Sequence, residues 1–334
     1  MCFVRLLAAP TESRIPSRQT PSRGCIVDAI HTEFSLIEWI RRQARGSTCV
    51  DTGIGDDAAV LRLPEGAQTL VTVDMLLEGT HFQMPPATGG EVGRKLLAVN
   101  LSDIAAMAGR PLAAFVSVGL PRDAHREFVE ELHTGILELA RRYDVALAGG
   151  DTNVWDGPLS VSLTLVGETT GRGAVTRNGA QVGDWVMVTG SFGGSLRGGH
   201  LAFEPRVAEA MALNEHFQLH SMIDVSDGLA ADLHHVLDES RVGAVIRAEN
   251  VPISEAAQQW VDERSALQHA LGDGEDFELL FTLSPAEGAR LLTAPPFTTP
   301  VARIGEIVAE RTCLLRSVDG VLVALPRLGW EHGA

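Results

Sequence analysis

Residues 93–120, GRKLLAVNLSDIAAMAGRPLAAFVSVGL, decide the fold class. Their first part carries the apolar spacing of a long helix, roughly Glu91 to Gly109, and PLAAFVSVGL then gives an apolar run of strand length. Upstream, FSLIEWIRR (34–42) has helical spacing and TLVTVDMLL (69–77) reads as a strand. Downstream come a helix through Arg142 and the strands VALAG (145–149) and SVSLTLVGE (160–168). Helices interleaved with strands in this way predict a mixed α/β (α+β) fold.

A glycine-rich break, ETTGRGAVTRNGAQVGD (168–184), places a domain boundary near Gly171. The second block repeats the mixture. It contains the strand DWVMVTG, the turn-bearing SMIDVSD, a helix from Gly228 to about Glu239 and the strand AVIRA. A helical stretch at Ala256–Ala270, the strand FELLFTL and a terminal strand VARIGEIV follow. The expected organisation is an N-terminal domain over 28–170 and a C-terminal domain over 171–334, preceded by a disordered extension over 1–27. That opening segment carries Arg5, Arg14, Arg18 and Arg23 with little periodicity, and Arg5 interrupts the apolar stretch a signal peptide would need. NLSDIAAM (100–107) and DVSDGLAADL (224–233) echo each other faintly.

The chain has 334 residues, 45% of them hydrophobic, with a formal charge of −16. Its length suits two domains. Its charge argues against nucleic acid and anionic membranes as partners. No apolar run is long enough to cross a bilayer. Cys2, Cys25, Cys49 and Cys313 form no C-x-x-C pair, which suits reduced thiols in a cytosol. Lys95 is the only lysine and lies outside any glycine loop, so a P-loop and a protein-kinase lysine site are excluded. The string GSFGGSLRGG (190–199) matches a dinucleotide loop only loosely and reads better as a structural or hinge segment.

The distinctive feature is aspartate in glycine-flanked, apolar contexts. The stretches are GIGDDAAV (Asp56, Asp57), VTVDML (Asp74), NLSDIAAM (Asp103), GGDTN (Asp151), DVSDG (Asp224, Asp227) and GDGEDFELL (Asp273, Glu275, Asp276). Turns at strand ends would present these carboxylates at a sheet edge. Two unit charges about 4 Å apart repel by roughly 4 kcal/mol at an effective dielectric near 20. A shared acidic site therefore needs cations, and hard divalent ions bridging carboxylates to phosphates fit. Taken singly, Asp56 and Asp57 also read as a turn, Asp103 as a helix-surface charge and Asp227 as a helix start.

In order along the chain, GIGDDAAV, VDMLLEGTHF, GRKLLAVNLSDIAAMAG, GGDT, VTRNGAQVGD, IDVSDGLAADL, GEDFELLF and GWEH resemble the thiamine-monophosphate kinase family, over about residues 33–333. GGDT alone is shared with the wider superfamily of aminoimidazole ribonucleotide synthetase. The resemblance implies a two-domain aminoimidazole ribonucleotide synthetase-like fold whose N-terminal domain binds ATP and magnesium and dimerises through its sheet. It implies ATP as co-substrate with several Mg2+ ions, and a cytoplasmic homodimer that phosphorylates thiamine monophosphate to thiamine diphosphate.

The metal positions implied by this resemblance are Asp57, Thr72, Val73, Asp74, Asp103, Asp151, Asp224 and Asp227. Val73 stands where a hydroxyl-bearing residue is usual, so only its carbonyl could serve. ATP would contact Gly150, Asp151, Arg177 and Ser226, while His81, Glu275 and Trp330 would face thiamine phosphate. Arg177 supplies a permanently charged fork for phosphate oxygens and Trp330 an aromatic face for a cationic ring. By itself His81 reads as a loop cap or a core histidine, and Trp330 as packing. No covalent intermediate or catalytic base is implied. The alternatives are another ATP-dependent synthetase of the superfamily and a catalytically silent metal-binding protein.

Overall fold

The computed structural model describes residues 33–44 and 46–330. The expected 1–27 extension lies outside them. The first half runs α1 (Glu33–Gln43), β1 (Val50–Thr52), β2 (Val60–Leu61), β3 (Thr69–Leu77), α2 (Gly89–Ala106), β4 (Gly109–Pro121), α3 (Arg126–Arg142), β5 (Ala146–Trp155) and β6 (Ser160–Thr169). Four of these strands form one sheet in the order β3-β6-β4-β5, with β4 and β5 parallel and the other pairs antiparallel.

The second half runs β7 (Trp185–Thr189), α4 (Val207–His216), β8 (Leu219–Asp224), α5 (Leu229–Ser240), β9 (Gly243–Arg247), α6 (Glu255–Gln258), α7 (Ala266–Gly272), β10 (Leu279–Leu283), α8 (Pro285–Thr293), β11 (Val301–Val308), β12 (Cys313–Arg316) and β13 (Leu322–Ala324). Its seven-stranded sheet has the order β13-β12-β9-β11-β7-β10-β8.

Helix α2 joins the halves. Thr88 caps it by accepting the Glu91 N–H at 3.2 Å while Glu91 accepts the Thr88 N–H at 2.8 Å, a reciprocal capping box. That cap starts the helix two residues ahead of the sequence-based limit, and Met107 and Ala108, the latter at φ +53°, end it before Gly109. Nearly every side of α2 is buried, because it packs on α3, β3, β4 and β6 of its own half and on α4 and β8 of the other. Gly93 permits this closeness: a Cβ there would overlap the Leu132 carbonyl of α3.

Two expectations change. The helix expected over Ala256–Ala270 is broken into α6 and α7, each with its own serine cap, Ser254 and Ser265. Between them Trp260 stacks on His269 with centroids 4.4 Å apart and Arg264 donates to Asp273 at 2.8 Å, so side-chain contacts hold the intervening turn. VARIGEIV, read as the terminal strand, is β11. Two short strands follow it, β12 parallel to β9 and β13 paired antiparallel to β12.

Candidate active site

A cavity of about 800 Å3 opens where the two halves meet. Asp74 and His81 line it from β3 and the loop after β3, while Ser226, Asp227, Glu275 and Trp330 line it from the second half. The Nδ1 atom of His81 accepts the Leu77 N–H at 3.0 Å, so in the neutral ring the proton sits on Nε2. Glu275 occupies a left-handed backbone conformation at φ +55°, and its N–H donates to the Ser226 carbonyl at 2.6 Å. Trp330 donates its own N–H to the Asp227 carbonyl at 2.9 Å and is 54% exposed. Its indole therefore borders the cavity, and the core closes without it.

Lys95 lies beneath this cavity. Its ammonium donates to both Glu275 oxygens at 2.7 and 2.9 Å and to the His81 carbonyl at 2.8 Å. Burial pulls the Lys95 ammonium below the ordinary lysine range, and the Glu275 carboxylate opposes that pull. The sequence marked Lys95 only as the absence of a P-loop. Nothing local signalled its partner, because Glu275 lies 180 positions away.

Beside the cavity, β3, α2 and the end of β8 bring together Asp74, Asp103 and Asp224. Thr72 donates its hydroxyl to Asp103, and Ser102 donates its hydroxyl to Asp224 at 2.7 Å. Burial, then the charges of Asp103 and Asp224, pushes Asp74 up to about 7. Burial, then Asp103, pushes Asp224 up to about 7. Burial raises Asp103 as well, with the Thr72 hydrogen bond resisting. The charge of Arg177 pulls both Asp103 and Asp224 downward. A concentration of hard oxygen donors whose charged forms are this unfavourable is suited to a divalent cation of the magnesium or calcium class.

Two further residues belong to this region and were not anticipated. Asp227, Asp232 and His235 place one ligand atom each within 4.8 Å of one another. Asp232 accepts the N–H groups of Asp227 and Gly228 at 3.0 and 3.1 Å, and burial, then Asp224, raises it to about 8. The available signal was spacing: positions 232 and 235 fall on one face of the helix that follows DVSDG.

Asp57 and Asp151 stand apart. Asp57 is exposed in the turn after β1, where its N–H donates to Asp56 at 2.9 Å. Asp151 is exposed and accepts from Asn153 at 2.7 Å. In register it pairs with Ser117, which pairs with Ser162, whereas Asp74 shares the row of Leu163 and Val116. The pleat therefore puts Asp151 on the face of the sheet opposite Asp74. Val73 also points to that outer face and is 60% exposed. Gly150 gives β5 its close approach to β4, where a Cβ would overlap the Val116 carbonyl. The glycine string 190–199 borders the cavity at Leu196, Arg197 and Gly198, anchored by Gly193 N–H to Asp276 and Gly194 N–H to Asp273.

Residues 55–169 match the family model for the AIR synthase related protein, N-terminal domain, and residues 181–314 match that for the C-terminal domain. The chain is 42% identical over 310 residues to the thiamine-monophosphate kinase of Rhodopirellula baltica, covering 90% of this chain and 97% of that one. It is 36% identical over 327 residues to that of Escherichia coli K12, covering 90% and 98%. Among solved structures, the thiamine-monophosphate kinase of Stenotrophomonas maltophilia superposes with a TM-score of 0.76 at 36% identity, covering 87% of this chain and 98% of that one. A structure of AaThiL complexed with AMPPCP and TMP superposes with a TM-score of 0.67 at 30% identity, covering 90% and 97%.

Proposed function

The chain belongs to the AIR synthase related family, and within it to the thiamine-monophosphate kinases, and from that premise we propose how its residues divide the transfer of the ATP γ-phosphoryl group to thiamine monophosphate. The observation that carries the reading is the adjacency of two regions. The cavity bordered by His81, Glu275 and Trp330 is also lined by Asp74, which lies against Asp103 and Asp224 in one acidic cluster. The cavity takes the acceptor, with the Trp330 face against its rings. Arg177 and Ser226 meet the nucleotide, joined by Gly150 and Asp151.

Asp74, Asp103, Asp224 and Asp227 would hold Mg2+, with Thr72 orienting Asp103 and Ser102 orienting Asp224. Bound there, the metal would supply positive charge for the phosphates beside carboxylates that would otherwise repel them. The attacking oxygen belongs to a phosphate and is anionic near neutral pH, so no general base is required. The protein's own share is to align donor and acceptor and to exclude water from between them.

Asp57 and Asp151 enter through a second copy of the chain. The outer face of the four-stranded sheet exposes Val71, Val73 and Met75 at 63%, 60% and 55%, an apolar strip of the kind that marks a protein interface. A homodimer formed through this face would put Asp151 at its seam, with Asp57 in the neighbouring turn. The buried free thiols Cys49 and Cys313 suit a reducing cytosol.

The test is ADP release by the purified chain. It should require both thiamine monophosphate and Mg2+, and Asp74→Asn should lower turnover by at least about a hundredfold in a folded protein. Near-normal turnover in that variant would refute the metal assignment.

A further inference from the structure

The chain's single lysine is entirely buried, with 0% of its surface exposed. An ammonium has three protons to donate. Here each has an acceptor: two carboxylate oxygens of Glu275 and the main-chain carbonyl of His81. The acceptors come from opposite walls of the cavity, His81 from the loop after β3 and Glu275 from the loop between α7 and β10. A buried charge is costly unless it is paired and fully hydrogen-bonded. An apolar side chain could fill the same space on α2 without that cost, so the ammonium needs a reason beyond packing. Glu275 supplies one: its backbone is left-handed and its N–H is tied to Ser226, which leaves its carboxylate direction to be set by what it bonds.

We propose that Lys95 is a positioning residue for the acceptor. It fixes the spacing of His81 and Glu275 across the junction of the two halves. By neutralising Glu275 it turns that carboxylate into an oriented hydrogen-bond acceptor, no longer available as a free counter-ion for a cationic ring. Recognition of the acceptor at this wall then depends on shape and hydrogen bonding more than on charge attraction. This rests on the reading of the cavity as the acceptor site.

Steady-state kinetics on the full chain test it, with thiamine monophosphate and Mg·ATP varied separately. Lys95→Met should raise KM for thiamine monophosphate tenfold or more while KM for ATP stays within twofold. In a Glu275→Gln background the same replacement should change the acceptor KM less than threefold, because the group that Lys95 orients has already lost its charge. An acceptor KM unchanged by Lys95→Met, or an ATP KM rising in step with it, overturns the proposal. Should Lys95→Met alone fail to fold, the comparison of Glu275→Gln with the double variant decides, and a tenfold change there is the overturning result. A wild-type chain without acceptor-dependent ADP release would instead remove the reading of the cavity, so the two failures are distinct.

Discussion

Asp276 accepts the Gly193 N–H with both oxygens at 3.0 Å, and burial pushes its carboxyl up from 3.8 to about 7. Between those values the folded chain keeps a proton that the unfolded chain has shed. Stability from this group is therefore present at low pH and lost as pH rises from about 4 to about 7, at a slope of up to about 1.4 kcal/mol per unit. Asp276→Asn stays neutral and still offers an oxygen to Gly193. Its stability relative to the parent, from urea denaturation, should climb across that window; parallel pH curves for the two proteins would show that Asp276 does not titrate there. Residues of this kind were only half legible. GDGEDFELL displayed Asp273, Glu275 and Asp276 as a cluster of acids, but the glycine loop that Asp276 anchors lies 83 positions upstream. The acids that end apolar segments were readable because a strand or helix fixes their direction. Lys95, mid-helix among leucines, carried no such mark.

At the scale of elements, α2 and α3 cross so closely that two glycines serve as contact surfaces. A Cβ on Gly93 would overlap the Leu132 carbonyl, and one on Gly135 the Gly90 carbonyl. Gly93→Ala should thus destabilise by about 3 kcal/mol through overpacking, despite the better helix propensity of alanine. A urea midpoint at or above that of the parent would contradict this account of the crossing. Periodicity located α2, α3, α5 and the strands β3 to β7 and β9 to β11, whose apolar runs are legible without their partners. It lost the short pieces. The α6–α7 break is held by the Trp260–His269 stack and by Arg264 on Asp273, while β12 and β13, 4 and 3 residues long, owe their form to pairing partners that the local sequence does not contain. The face of the sheet on which Asp151 lies depends on register across β4 and β6, and a motif such as GGDT is silent about register.

For the whole molecule, the placement of Asp74 and Asp151 on opposite faces of one sheet makes a prediction for the homodimer proposed above. Asp74→Asn and Asp151→Asn should each be inactive alone. Mixed one to one with subunit exchange, they should recover about a quarter of parental activity, because half of the dimers are mixed and each of those carries one intact site in a two-fold assembly. Absence of any recovery would mean that Asp151 serves the cleft of its own chain. Helix α2 has a consequence of a different sort. From Lys95, under the cavity, to Ser102, on Asp224, is seven positions, or about 10 Å and close to two turns at the α-helical rise. In the site division proposed above, the distance between the vitamin end and the phosphate end of the reaction is graduated in peptide units along a rigid rod. Adding or deleting one residue between those marks would swing one end about 100° away from the other, so the length of this stretch is locked.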